Sequence, residues 1–316
     1  MNDQRHIPVL LDDVIDVLAP RDGAVYVDAT FGAGGYSRAL LEAADCTVWG
    51  IDRDPEAAEA GNQMAASYGN RLTVLKGRFG DMRALLEGVG VHQVDGIALD
   101  IGVSSMQIDD PARGFSFRGD GPLDMRMEKD GMSAADAVNR LAEKELADII
   151  YQFGEERASR KIARAIVELR EQSPITRTSQ LANVVRSVVR RSKDGIDPAT
   201  RTFQALRIYV NEELAELDRG LAAAATLLGE GGRLAAVSFH SLEDRRIKMF
   251  FQERSGAGPA PSRHMPMMGA AAKSLFSVPE KRGRVAGDAE VNRNPRARSA
   301  RLRWGIRTAA PLPQAA

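Results

Sequence analysis

Four short apolar runs, at residues 25–28, 47–52, 72–76 and 96–100, alternate with stretches of helical spacing. This alternation constrains the chain more than any other feature. Apolar runs recurring after helix-length stretches read as βαβ units, and hence as a parallel sheet covered on both faces. The crossover helices are expected at 37–42, 55–67 and 82–87, the second opened by Asp54 as cap with Pro55 in its first turn. A fifth run, residues 233–238, follows a turn at 229–232 and one long helix at 203–228, and reads as a further parallel strand.

The fourth and fifth runs lie too far apart for a simple crossover. A glycine-rich loop, 102–121, is followed by helical stretches at 133–139, 143–153, 155–172 and 179–191. The expected organisation is an α/β domain formed by residues 1–106 and 198–316, with 107–197 as an α-helical insertion that recognises substrate. Residues 256–287, rich in Gly, Pro, Ala and Met, read as a mobile linker. Beyond it, 294–304 can supply a final edge strand within an Arg-rich C-terminal tail, and 309–316 are expected to fray.

Composition narrows the function. A single cysteine excludes a disulfide framework, and the four histidines, His6, His92, His240 and His264, lack zinc-ligand spacing, so no metal is expected. The chain has no apolar run long enough to cross a membrane, and its start lacks the order of a signal peptide, which points to a cytoplasmic protein. Lys+Arg and Asp+Glu both number 43, so the net charge is zero. The distribution is uneven: residues 157–207 and 263–316 carry +8 each, leaving −16 elsewhere. Of the basic residues 35 are Arg, the side chain suited to phosphate forks and base stacking. Solvated helix faces give the same count, so charge alone does not decide for RNA.

Residues 27–37, Val-Asp-Ala-Thr-Phe-Gly-Ala-Gly-Gly-Tyr-Ser, lie where the first strand should turn into a helix. Glycines there let the backbone approach a ligand, and Asp52, ending the second strand, can bind ribose hydroxyls. The spacing is G-x-G-G rather than G-x-G-x-x-G, with Ser37 in the third glycine's place, and there is no Walker lysine. Asp28 and Asp100 end the first and fourth strands. Three carboxylates around one crevice repel a pyrophosphate and suit a ligand with ammonium and sulfonium groups, so S-adenosylmethionine is expected rather than NAD. The plainer reading makes Asp28 and Asp52 turn and helix caps.

The loop after the fourth strand, Asp100-Ile-Gly-Val-Ser-Ser-Met-Gln107, should face the reacting centre. In the stretch that follows, Phe115 and Phe117, flanked by Arg113 and Arg118, can stack on unpaired bases or anchor the loop to the core. Phe79 can flank an adenine or serve the core. After the fifth strand come Ser238-Phe-His-Ser-Leu-Glu-Asp-Arg245, where Ser241 and Asp244 have capping-box spacing and His240 is a positioning residue or a general base. Methylation at a pyrimidine carbon needs a cysteine nucleophile near the substrate. Cys46 precedes the second strand, which leaves transfer to N or O.

Together these stretches resemble the ribosomal small subunit methyltransferase H family, the 16S rRNA (cytosine-N4)-methyltransferases. The matching residues are His6-x-Pro-Val-Leu-Leu11, 28–37, Gly50-Ile-Asp-Arg-Asp-Pro55, 95–107, 113–127, Gly154-Glu-Glu-Arg157, 198–207, 238–245 and 294–302. The resemblance implies a Rossmann-like methyltransferase domain with an inserted helical domain. It implies cofactor contacts at Gly34, Gly35, Tyr36, Asp52, Phe79, Asp100 and Gln107, with Tyr36 standing where the family has histidine. It also implies a decoding-centre cytidine in the small subunit as substrate. Asp100 and His240 are then candidate catalytic groups, and Arg113, Phe115, Phe117, Arg118, Arg201 and Arg207 candidate RNA contacts. Asp-Ile-Gly-Val stands where other amino methyltransferases carry Asp/Asn-Pro-Pro-Tyr, so any stacking aromatic must come from elsewhere. A non-catalytic assembly factor and an enzyme acting on free nucleotide or protein are the rival readings, and oligomeric state is left open.

Overall fold

A computed structural model describes residues 8–191, 195–256 and 274–312. It divides into two compact units, residues 1–102 with 215–316, and Val103–Leu214. Most of the expected linker, His6, His264 and the last four residues fall outside the described residues.

The first unit opens with α1 (Leu11–Leu18), β1 (Val25–Asp28), α2 (Gly35–Ala43), β2 (Thr47–Asp52), α3 (Pro55–Ala65), β3 (Leu72–Lys76), α4 (Met82–Glu87) and β4 (Val94–Asp100). The first three strands match the apolar runs read from sequence, and the fourth begins two residues earlier. Asp54 caps α3 as expected, its carboxylate accepting from Glu56 N–H with Pro55 in the first turn.

The second unit holds α5 (Ser105–Asp109), α6 (Ala134–Arg140), α7 (Glu143–Gly154), α8 (Ser159–Arg170), α9 (Thr178–Val188) and α10 (Ala199–Asn211). It closes on its own core, which includes Leu146, Ile150, Ile162, Ile166, Leu181 and Leu206. It extends past the expected boundary at 197 to take in α10, because Phe203 and Leu206 belong to that core. The single helix expected at 203–228 is two helices. α10 stops at Asn211, Glu212 takes a left-handed φ of 53°, and α11 (Glu213–Leu227) follows. Asn211 is held out of a continuing pattern by the loop before α6: its Oδ1 accepts from Met127 N–H and its Nδ2 donates to the Met125 carbonyl.

The chain then returns to the first unit with β5 (Leu228–Ser238), α12 (Ser241–Arg254), β6 (Phe276–Ser277), β7 (Arg284–Val285), α13 (Asp288–Arg293) and β8 (Arg301–Arg307). Residues 229–232, expected as a turn, are part of β5, with an irregular register opposite Val94 and Gly96. The sheet order is β3-β2-β1-β4-β5-β8-β6, with β7 also on β8. β1 to β5 are parallel, and β8 runs antiparallel to β5. The C-terminal strand is therefore interior rather than an edge. Part of the expected mobile linker is ordered too, since Phe276 is fully buried against Phe250 and Phe251.

Side chains alternate across the sheet as a period of two requires. Ile97, Leu99, Leu234 and Ala236 enter one core with α4, α11 and α12. Ala98, Ala235 and Val237 enter the other with α1 and α2. This is a Rossmann-like arrangement, with its one reversed strand inserted next to β5. It brings the carboxyl ends of β1, β2, β4 and β5 to a single edge. Among the described residues, no helix is long and apolar enough to cross a membrane.

Candidate functional site

The edge of the sheet is built around the turn from β1 to α2. Gly32 and Gly34 have φ of 53° and 73°, a region costly for side-chain-bearing residues. At Gly34 a Cβ would also stand 2.6 Å from the Phe31 ring. Phe31 itself is buried and reaches under the loop to Gly50 and Gly61. Two carboxylates and one backbone amide fix the turn. Asp28 Oδ2 accepts from the Ser37 hydroxyl (2.7 Å) and the Ser37 N–H (3.1 Å). Asp52 Oδ2 accepts from Gly32 N–H (2.7 Å), and its Oδ1 from Asp54 N–H (2.8 Å). The backbone of Asp100 donates to Thr30 Oγ1 (2.6 Å).

Two oxygens are left over. Asp28 Oδ1 and Asp100 Oδ1 are buried with no hydrogen-bond partner among the described residues. Burial pushes the Asp28 and Asp52 carboxyls up to about 6. It drives Asp100 well above the usual carboxylate range, with Asp28 and Glu243 adding like charge. Two orphaned carboxylate oxygens fit a ligand that brings cationic or N–H groups.

A stability signature follows for Asp28. Its native carboxyl titrates near 6 and its unfolded one near 3.9, so the native state binds more protons between those values. Its contribution to stability is fully present below about pH 4 and is lost as pH rises through 6. Asp28→Asn removes that titration. The melting temperature of the variant minus that of the ligand-free parent should therefore rise between pH 4 and 7. A flat difference would show that Asp28 ionises freely.

The expected site residues separate into groups. Gly34, Gly35, Tyr36, Asp52 and Asp100 all lie in the first unit at the carboxyl edge of the sheet. The Tyr36 ring is buried, and its hydroxyl donates to the Val9 carbonyl. The Phe79 ring is half-buried, with one edge against Gly220 of α11. His240 is the N-cap of α12, one residue before the Ser241 cap expected from sequence. Its Nδ1 faces Glu243 N–H at 3.5 Å, its Nε2 lies 2.9 Å from Glu243 Oε1, and Glu243 Oε2 accepts from Phe239 N–H. His240 thus caps α12 and lies against Glu243. Asp244, expected to complete the capping box, instead takes the Arg303 fork at 2.6 and 3.1 Å.

Gln107 belongs to the second unit, where it and Ser104 form the capping box of α5. Three of the expected RNA contacts are committed to this unit's interior. Arg113 is buried and donates to the carbonyls of Arg126 and Met127. Phe115 is a core residue. Arg207 forks onto Glu213 at 2.8 Å twice. Phe117 is half-buried, edge-on to Phe203, with the Arg186 guanidinium over its ring. Arg118 and Arg201 are exposed, Arg201 lying 3.6 Å from Glu156. A different basic surface emerges at α8: Arg160, Lys161 and Arg164 are exposed on the helix, with exposed Arg157 just ahead of it, while Ile162, Ala163 and Ile166 are buried. That spacing was available in the sequence and is a better signal than the Arg-Phe cluster.

Residues 3–308 match the MraW methylase family. A protein from Rhodospirillum centenum named ribosomal RNA small subunit methyltransferase H is 64% identical over 97% of this chain and 93% of its own length. One of the same name from Paramagnetospirillum magneticum is 60% identical over 98% of both chains. Among solved structures, a putative rRNA-methylase from Clostridium thermocellum aligns over 95% of this chain and 98% of its own, at 12% identity and a TM-score of 0.44.

Proposed function

The chain belongs to the MraW methylase family, and from that premise we propose that it is a methyltransferase of small-subunit ribosomal RNA, acting on the exocyclic N4 of a decoding-centre cytidine. S-adenosylmethionine is its methyl donor, and the residues present fit it. The observation that carries this reading is the pair of orphaned oxygens on Asp28 and Asp100 beside a positive-φ glycine turn. That setting suits a cation-bearing nucleoside and opposes a pyrophosphate. The relatives' shared name supports ribosomal RNA as the substrate class. The choice of N4 rests on the sequence resemblance and on a lone cysteine that is buried away from the site edge, near the start of β2.

When bound, the cofactor supplies an electrophilic methyl group on a positive sulfur. The protein's part is positioning and proton management. A cytosine amine is a poor nucleophile because its lone pair is delocalised into the ring. It must be held in line with the methyl group, and its N–H must be accepted as the nitrogen pyramidalises. Asp100 Oδ1 is the acceptor we assign, with the carbonyls of residues 101–103 following it in the chain. Asp52, fixed by Gly32 and Asp54, is the carboxylate we assign to the ribose. His240 holds the turn after β5 as the N-cap of α12. The basic face of α8 meets RNA phosphates, with Arg118 and Arg201 as further contacts.

The test uses isolated small subunits lacking the modification, incubated with the protein and methyl-labelled cofactor, then digested to nucleosides. Label in N4-methylcytidine is expected. Label in another nucleoside would overturn the N4 assignment. Label only in free nucleotide or protein would move the substrate class. Cofactor binding without any turnover would leave an assembly factor.

A further inference from the structure

Residues 8–10, ahead of α1, are held in a conformation they would not adopt alone. Leu10 is 1% exposed and has φ 53° and ψ 34°, left-handed geometry without a glycine. Such a residue is strained and persists only where its surroundings fix it. Here it is fixed from both sides. The Tyr36 hydroxyl donates to the carbonyl of Val9, and the N–H of Leu10 donates to Glu290 Oε1 (2.7 Å) on α13. Pro8 lies directly on the glycine turn: a Cβ added to Gly35 would overlap Pro8 Cγ. Three distant pieces of chain therefore meet on one short lip, and the lip lies on the loop assigned to the cofactor.

We propose that Tyr36 and Glu290 are positioning residues that hold residues 8–10 as a lip on Gly35, and that this lip sets the affinity of the glycine turn for its cofactor. The proposal rests on the reading that the turn binds S-adenosylmethionine. The Tyr36 side chain acts through Val9, while its backbone remains part of the turn. If the lip opens, Gly35 loses the packing of Pro8 that keeps its amide in place, and affinity falls because the turn must be ordered on binding.

The variants are Tyr36→Phe, Glu290→Ala and Glu290→Gln in the full chain. They are read by calorimetric titration with S-adenosylhomocysteine and by hydrogen exchange at the Leu10 amide. Tyr36→Phe and Glu290→Ala should each weaken binding about fivefold, the size of one lost buried hydrogen bond. Each should speed Leu10 exchange roughly tenfold or more, with β1 amides unchanged. Glu290→Gln keeps an oxygen acceptor and should stay within about twofold of the parent in both readouts. The double variant Tyr36→Phe/Glu290→Ala should fall short of the product of the single effects, because both act on one element. If the parent binds and the two weakening variants match it in affinity and in exchange, the lip is overturned while the cofactor reading stands. If the parent binds no S-adenosylhomocysteine, the cofactor reading falls and takes the lip with it.

Discussion

Asp100→Asn is expected to lower kcat by about a hundredfold or more at saturating cofactor, and to leave the ligand-free protein at least as stable as the parent. Both halves of that expectation come from one geometry. Asp100 Oδ1 is buried, has no hydrogen-bond partner among the described residues, and shares its surroundings with Asp28 and Glu243. A carboxylate so placed disfavours folding, and burial holds its carboxyl well above the usual range. Asparagine keeps the shape and the backbone bond to Thr30 while removing the charge. In methyl transfer the positive sulfur of the bound cofactor favours the ionised carboxylate, which accepts the amine N–H as positive charge grows on nitrogen, and a neutral amide oxygen accepts more weakly. Single-turnover methylation of small subunits measures the first half, and the melting temperature measures the second. Near-normal turnover would exclude an essential charge at this position. A melting temperature several degrees lower would make Asp100 a structural residue instead. An activity loss that comes with unchanged or raised stability is the mark of a residue kept for function.

Much of this site edge was legible in the sequence because parallel strands announce themselves. β1, β2 and β3 were bounded correctly, and position in the chain was enough to put Asp28, Asp52 and Asp100 at strand ends. What lay hidden was which hydrogen bonds those carboxylates had already spent. Ser37 on Asp28 and Thr30 on the Asp100 backbone are ordinary polar residues until the turn folds. Glu290 is 280 residues from its partner Leu10, and no local pattern could connect them.

The arginines misled for a different reason. In β8 they alternate with Leu302 and Trp304, a pattern that reads equally as strand and as basic tail. The structure resolves it. Arg303 is buried on Asp244, Arg284 binds Asp13, Asp16 and Glu280, and Arg307 is buried near the end of the strand. The same holds for Arg113 and Arg207 in the second unit, which serve carbonyls and a carboxylate of that unit. A count of charge cannot tell a phosphate contact from an internal ion pair, because the balancing acids come from elsewhere in the chain. Helical spacing can, when it shows a basic stripe opposite an apolar one, as at α8.

The largest stability effect should come from Glu216 rather than from any residue of the reacting centre. Arg53 follows Asp52 directly, and its guanidinium Nη1 donates to Glu216 Oε2 of α11 at 2.6 Å, with side chains 9% and 0% exposed. Two desolvated charges at that distance suit each other but contribute little net, because the cost of removing both from water offsets their attraction. Removing only one is another matter. Glu216→Ala leaves the Arg53 guanidinium buried without its carboxylate, and should cost about 3–5 kcal/mol. For a unit of about 200 residues, that is a fall in melting temperature of roughly 6–20 °C. The paired replacement Arg53→Met with Glu216→Leu removes both charges and fills the space with apolar groups. It should recover most of that loss, and thermal unfolding of the three proteins decides the matter. If the double variant is no more stable than Glu216→Ala, packing around α11 rather than the buried charge accounts for the damage. If it recovers, its cofactor affinity becomes informative, because Arg53 is the residue that ties the chain just after Asp52 to α11. Stability restored with affinity still reduced would show that the ion pair is retained to hold Asp52 against Gly32, and not to hold the fold together.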